Sequence, residues 1–318
     1  MQFTKVSKVL SLKSYKTPLR YPGGKSRATR FLSRHVPSEY SEFVEPFLGG
    51  GSMAINVSKQ YPNKPIWVND KYFNLYCFWI MLQTHGDELQ QKIIEKKDIA
   101  SCFVDQDTSH RELFIQCKEE IQTEKEPFEI AWRFFVLNKC SFSGLGESSG
   151  FSKQASQSNF SYNNIRKLEG YNKIIQKWDI TNLDYTEILP ACKKESFVFL
   201  DPPYDINSFL YGKGGDMHNT FDHEEFHDAA SLCEGQTMIT YNSNDKLKEM
   251  FSSWNQLEWD LTYTMHSSRV YRKDESNRRE LLLTNYGYPE SILEEFYEKN
   301  TDTKTADESP KRNLELSE

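Results

Sequence analysis

Long apolar runs are missing from this chain. No stretch approaches the roughly 18 residues that a membrane-crossing helix needs, and Met1 to Ser14 is too polar for a secretory signal. Clustered cysteine is also missing. The six present, Cys77, Cys102, Cys117, Cys140, Cys192 and Cys233, form no C-x-x-C pair and no Cys/His ligand spacing. That excludes the usual zinc frameworks and points to free thiols in a reducing compartment. His218, His223 and His227 fall in a polar, helix-like stretch and read as surface residues, so no metal is expected. A basic excess is lacking as well, with a formal net charge of -7.

That charge is uneven. Glu294 to Glu318 carries a net of -4, leaving -3 for the residues before it. Attraction to phosphates depends on a local basic face, so the total neither supports nor excludes nucleic acid. The acidic stretch has no aromatic after Tyr297 and reads as a disordered tail.

What is present begins with short strand-like runs at Phe43-Val44, Ile66 to Val68, Phe197 to Leu200 and Met238 to Tyr241, with two later ones at Leu257 to Thr264 and Leu281 to Leu283. Each of the first four ends in a polar, Gly or Pro element, as buried strands of an α/β sheet do. Between Lys71 and about Trp178 the pattern turns helical, at Asn74 to Leu82, Arg111 to Gln122 and Phe128 to Leu137. A polar loop, Ser141 to Asn164, follows.

The strand Phe43-Val44-Glu45 runs into Pro46-Phe47-Leu48-Gly49-Gly50-Gly51, and Asp70 ends the next strand. A glycine-rich turn lets backbone N–H groups approach a nucleotide, and an acid one strand later can accept from ribose hydroxyls. The pattern identifies a nucleoside ligand without naming it, and NAD fits it too. Upstream, Arg20-Tyr21-Pro22-Gly23-Gly24-Lys25-Ser26 ends like a phosphate-binding P-loop, but Leu19 stands where that motif requires glycine, which removes the ATPase reading.

Phe197 to Leu200 leads directly into Asp201-Pro202-Pro203-Tyr204. Two prolines stiffen the turn and remove two backbone donors. A rigid carboxylate, an acceptor carbonyl at Pro202 and an aromatic plane at Tyr204 suit an exocyclic aromatic amine, whose lone pair is delocalised into its ring. Acceptors on its N–H groups favour a more nucleophilic nitrogen, and an aromatic ring can stack on a base turned out of a duplex.

Taken together, Arg20 to Lys25, Phe43 to Gly51, Asn69-Asp70, Leu137 to Leu145, Asp201 to Tyr204 and Arg279 to Tyr286 resemble the Dam-type, D12-class N6-adenine DNA methyltransferases over roughly Pro18 to Tyr286. The resemblance implies an α/β, Rossmann-like S-adenosylmethionine-dependent methyltransferase sheet from residues 1–70 and 180–290. It implies a mainly helical target-recognition insertion at 71–179, carrying the polar loop 141–164, and a tail from 291. S-adenosylmethionine would be contacted by Tyr21, Lys25, Phe47, Gly49, Gly51, Asp70 and Asp201. Asp184-Tyr185 would face its adenine, with Asp179 as competitor. Asp201, Pro202, Pro203 and Tyr204 would be catalytic.

Double-stranded DNA would meet Lys139, Lys153, Gln154, Gln157, Asn159, Asn163 and Asn164 of the insertion, with a second phosphate-binding edge at Arg269, Arg272, Lys273, Arg278 and Arg279. A cytoplasmic monomer in a bacterial or phage-infected cell is expected. Two departures stand out: Tyr21 replaces a frequent tryptophan, and Gly144 to Gly150 replaces an arginine-bearing hairpin that reads a base, so the GATC target does not carry over. Cytosine N4 and RNA adenine are the alternative substrates, although the family's cytosine enzymes commonly carry Ser where Asp201 stands. A non-catalytic DNA-binding protein and an NAD oxidoreductase are the remaining readings.

Overall fold

Alternation along the strands divides the core in two. In β1 (Glu42–Glu45) and β4 (Ser196–Leu200), Phe43, Phe197 and Phe199 face one side while Val44, Val198 and Leu200 face the other, and all are buried. A strand buried on both faces reads as a continuous apolar run, which is why Phe197 to Leu200 is legible as one. The computed structural model describes residues 15–21, 23–102, 106–204, 221–260 and 279–287. The expected tail, His218, and Arg269, Arg272, Lys273 and Arg278 lie outside them.

With β2 (Ile66–Asn69), β3 (Trp178–Thr181), β5 (Gln236–Asn242), β6 (Asn255–Asp260) and β7 (Arg279–Thr284), these strands form one sheet in the order β3-β2-β1-β4-β5-β7-β6. The first five are parallel, and β7 runs antiparallel to both β5 and β6. Chain order reverses between β1 and β4, which opens a crevice at their carboxyl ends.

Short helices α10 (Tyr185–Ile188) and α12 (Asp245–Met250), with α11 (His223–Leu232) between them, cover one face through Ile188, Phe226 and Leu247. The other face shares its core with the long middle segment. There α3 (Phe73–Thr84), α4 (Gly86–Ser101), α5 (Gln106–Glu120) and α6 (Pro127–Cys140) pack together. Helix α6 begins at a proline, where no intrahelical donor is lost, and is buried on nearly every side from Ile130 to Cys140. Phe78 of α3 stacks on its Phe135, with centroids 6.0 Å apart. On the sheet side, Trp79 lies 5.6 Å from Trp178.

Two expectations need correcting. Trp178 and Asp179, placed in the insertion, are the start of β3. This edge strand carries only two buried apolar residues and leaves Asp179 exposed, so its pattern resembles a loop. The polar loop Ser141 to Asn164 is largely helical. It forms turns Phe142–Gly144 and Gly146–Ser148, then α7 (Lys153–Asn159) and α8 (Tyr162–Arg166), with α9 (Leu168–Ile175) after it. Its serines act as caps: Ser152 Oγ accepts from Ala155 N–H and Ser161 Oγ from Asn164 N–H. Buried Ala155, Phe160 and Ile165 hold the helices down. Among the described residues, no helix is long and apolar enough to cross a membrane.

Candidate active site

The carboxyl ends of β1, β2 and β4 open into a cavity of about 310 Å³, within the size range of small-ligand sites. Of the expected cofactor contacts, Tyr21, Lys25, Phe47, Gly49, Asp70, Asp184 and Asp201 line it. Gly51 does not. It caps α2 (Ser52–Gln60) with φ +69, and a Cβ there would stand 3.0 Å from the Trp79 ring. The glycine is required by the left-handed turn and by Trp79 behind the wall.

Asp70 organises the turn from the next strand. Its Oδ2 accepts from Gly49 N–H at 2.8 Å and its Oδ1 from Tyr72 N–H at 2.9 Å. Burial pushes its carboxyl up to about 6 against the pull of those two amides. Glu45, which closes β1, accepts from Ala54 N–H at 2.9 Å. Burial drives this carboxyl well above the ordinary range, and the neighbouring charges of Asp201 and Asp70 add to that push. Glu45, Asp70 and Asp201 are three of the six carboxyls that line the cavity.

The Asp-Pro-Pro-Tyr turn follows β4. Asp201 Oδ1 receives Lys25 Nζ at 2.7 Å and Thr240 Oγ1–H at 2.8 Å, leaving Oδ2 without a donor among the described residues. Lys25 is 3% exposed and donates also to the Gly23 carbonyl, so its ammonium is fixed by the turn that carries it. The same ammonium lies 4.6 Å from the centre of the Tyr204 ring. Tyr204 O–H donates to Glu280 on β7 at 2.5 Å. Pro203 lines the cavity, whereas Pro202 is buried and Tyr204 stands beside the cavity rather than in its wall.

Across the cavity, Phe47, Tyr185 and Phe221 make an aromatic wall, with centroid separations of 5.5 Å for Phe47–Tyr185 and 5.7 Å for Tyr185–Phe221. Asp184 is the N-cap of α10. It accepts from Thr186 N–H at 3.0 Å and meets Lys71 Nζ at 2.5 Å. These partners lower its carboxyl despite burial's upward push. Asp179 is exposed on β3 and does not line the cavity, whereas Asp184 does.

Sequence reasoning missed Glu45, Phe221, Asp222 and Glu225 as wall residues. Glu45 was in view as the last residue of a strand. Phe221 and its neighbours belong to no spacing that marks them.

The insertion residues divide. Lys139 is 6% exposed, donates to the Pro18 carbonyl at 2.5 Å, and is pushed down to about 7 by burial. It serves the interior and not a phosphate. The adjacent Asn138 exchanges bonds with the Arg20 backbone: Arg20 N–H to Oδ1 at 2.9 Å and Nδ2 to Arg20 O at 2.7 Å. A Cβ at Gly144 would lie 2.4 Å from that same carbonyl oxygen. The motif Leu137 to Leu145 is therefore a bolt on the Pro18–Tyr21 segment.

Lys153, Gln154, Gln157 and Asn163 are exposed. Lys153 meets Asp107 at 2.6 Å, and Gln157 donates to the same carboxylate at 3.0 Å. Asn159 and Asn164 bind backbone carbonyls at 3.0 and 3.1 Å. Arg279 is exposed beside Glu258 at 3.6 Å. His223 bonds the Tyr241 hydroxyl at 2.8 Å and His227 lies beside Asp228. Among the described residues, no group of three His, Cys, Asp or Glu could hold a metal ion.

The cavity thus combines an aromatic wall, several carboxyls and the Asp201 carboxylate carried on the turn after β4. Aromatic planes with a few placed polar groups are the lining of a small-molecule site. The matches with known proteins narrow the class. Over residues 21–265 the chain matches the D12 class N6 adenine-specific DNA methyltransferases, and it belongs to that family. It is 24% identical over 275 residues to the type II methyltransferase M.CviBI of Paramecium bursaria Chlorella virus NC1A, covering 84% of this chain and 98% of that one. It is 28% identical over 200 residues to a DNA adenine methylase of Salmonella typhi, covering 61% of this chain and 66% of that one. With modification methylase StsI of Streptococcus sanguinis it shares 26% identity over 301 residues, 88% of this chain and 44% of that one. The chain is an adenine-specific DNA methyltransferase.

Proposed function

We propose that the methyl donor is S-adenosylmethionine held in the β1/β2/β4 cavity, and that the acceptor is an adenine turned out of double-stranded DNA. The cavity's chemistry fits the donor. Phe47, Tyr185 and Phe221 suit an adenine plane, Asp70 suits ribose hydroxyls, and the acid-rich wall suits a sulfonium and an ammonium. When bound, the donor supplies a methyl already activated by the sulfonium. Asp201 Oδ2 and the Pro202 carbonyl accept from the adenine amine and draw its nitrogen toward a tetrahedral, nucleophilic form. Tyr204 supplies the stacking surface. Lys25 and Thr240 keep Asp201 aimed by occupying its other oxygen.

The observation that carries this reading is the Asp201 carboxylate at the cavity wall, fixed on one oxygen and, among the described residues, open on the other. Residues 71–177 are the target-recognition region in this reading, with exposed Lys153 and Gln154 and the neighbouring Asn159 offered to DNA. The described residues of the sheet segments, 15–70 and from Trp178 onward, form the catalytic part in this reading. The type II names of M.CviBI and related enzymes support a role in methylating a fixed target sequence. Glu147 stands in the stretch that replaces the base-reading hairpin. Its carboxylate is taken up by the Tyr72 hydroxyl, by Asn74 Nδ2 at 2.8 Å and by Gln122 Nε2 at 3.1 Å, so it holds the insertion together.

Labelled methyl transfer to unmethylated duplex DNA, compared between wild type and Asp201→Ala, tests the reading. N6-methyladenine should appear in the digested wild-type product and vanish with the variant. Undiminished transfer by Asp201→Ala, or label in N4-methylcytosine, refutes it.

A further inference from the structure

The motif Arg279 to Tyr286 has no task in the account so far, yet it supplies β7 and with it Glu280. In the β5–β7 register Thr240 lies opposite Leu282 and Asn242 opposite Glu280. Opposed residues share a face, and so do residues two apart along a strand. Thr240 and Glu280 therefore project from the same face, one two-residue step apart, or about 7 Å along the strands. The turn that follows β4 crosses this step. Leu200 pairs with Ile239, which brings Asp201 level with Thr240, and Tyr204 three residues later reaches Glu280. The Asp-Pro-Pro-Tyr turn is thus pinned at one end to β5 and at the other to β7.

We infer that Glu280 is a positioning residue for the target base: its 5% exposed carboxylate holds the Tyr204 hydroxyl and so sets the plane on which the adenine stacks. The inference rests on the methyltransferase reading above. A tyrosine ring on an otherwise free turn can rotate about two side-chain torsions, and a stacking plane is useful only in one orientation. Packing supplies part of the restraint, from the Lys25 ammonium on the Tyr204 ring and from Tyr241, whose centroid lies 6.0 Å away. The hydroxyl bond adds to it, because it fixes the far end of the ring. A carboxylate accepts this bond more strongly than a neutral group would. Glu280 lines no part of the donor cavity, and in this scheme its effect on the base passes through the phenol.

Single-turnover methylation of duplex DNA by wild type, Glu280→Gln, Glu280→Leu, Tyr204→Phe and the double variant Tyr204→Phe/Glu280→Leu tests this. Melting temperatures and calorimetric binding of S-adenosylmethionine are measured alongside. Loss of a hydrogen bond to a charged group predicts roughly a ten- to hundredfold slower transfer for Tyr204→Phe and Glu280→Leu, with unchanged donor affinity. Glu280→Gln, which keeps an acceptor, should recover most of the rate, and the double variant should be no slower than Tyr204→Phe alone. If Glu280→Leu does not fold, Glu280→Gln in the wild-type and Tyr204→Phe backgrounds gives the same comparison, with a smaller loss that disappears in the second. A loss that persists in the Tyr204→Phe background, or one that appears as weakened donor binding, overturns the inference while leaving the enzyme's activity established. A wild-type chain that transfers no methyl to DNA overturns the functional reading and this inference with it.

Discussion

The buried Asp70 carboxyl makes opposite demands on stability and on binding, and Asp70→Asn separates them. Moving a carboxyl from an ordinary 3.8 to about 6, at 1.36 kcal/mol per pH unit, costs the ionised form about 3 kcal/mol. Below an unfolded value near 3.8 both states hold the proton and nothing is lost. As pH rises toward 6 the unfolded chain gives up the proton while the folded one keeps it, so stability falls, and above about 6 the full deficit is in place. Asparagine does not ionise and escapes this trend. The stability difference between Asp70→Asn and wild type should therefore shift in the variant's favour by about 2 kcal/mol between about pH 4.5 and about pH 7.5.

Urea unfolding at several pH values without the donor measures it. The difference between the two proteins cancels the titration of every other group. Donor binding should move the other way. If ribose hydroxyls need the charged carboxylate, S-adenosylmethionine affinity in the wild type should drop about tenfold from pH 7 to pH 5. In the variant it should be weak and flat. A stability difference that does not change with pH would show that the Gly49 and Tyr72 amides offset burial completely, and the reasoning would fail.

Lys25→Met removes the partner of Asp201 and the cation on Tyr204, so single-turnover methylation should slow by roughly ten- to hundredfold. Gly51→Ala forces a side chain into a left-handed turn 3.0 Å from Trp79, and denaturant unfolding should show a loss of about 1–3 kcal/mol. Calorimetry on its folded fraction should show near-normal donor affinity. Lys139→Met should leave the salt dependence of DNA binding unchanged, whereas Lys153→Met should reduce the slope by about one counterion. Because burial lowers the Lys139 ammonium to about 7, the wild type loses stability as pH falls from the unfolded value of about 10.4 toward 7, and Lys139→Met should flatten that limb of the unfolding curve.

The central strands and their loops were legible because each signal is local. Phe197 to Leu200 is an unbroken apolar run, and both the glycine turn and Asp-Pro-Pro-Tyr begin where a strand stops. Strand β3 was not legible because an edge strand with Asp179 facing solvent has half the pattern of a buried one. The helices α7 and α8 hid in a Ser- and Asn-rich segment, since the residues that break helices inside are the ones that cap their ends. Lys139 was misread for a different reason. Its burial is decided by Pro18, a residue 121 positions away in sequence, and no local pattern reports that. Glu45 and Phe221 owe their place to the crevice itself, which exists only once β1 and β4 lie side by side.

That pairing also sets the order in which the molecule can be assembled on the ribosome. Glu42 and Ser196, neighbours in the finished sheet, are synthesised 154 residues apart. Until β4 emerges, β1 presents an apolar strand with one unpaired edge, the kind of surface on which nascent chains stick to one another. The helices of the middle segment, rich in short-range contacts, can form during that interval and cover the Phe43 face of the sheet. The region proposed to find DNA in the mature enzyme would then serve, during translation, as a shield for the half-built sheet.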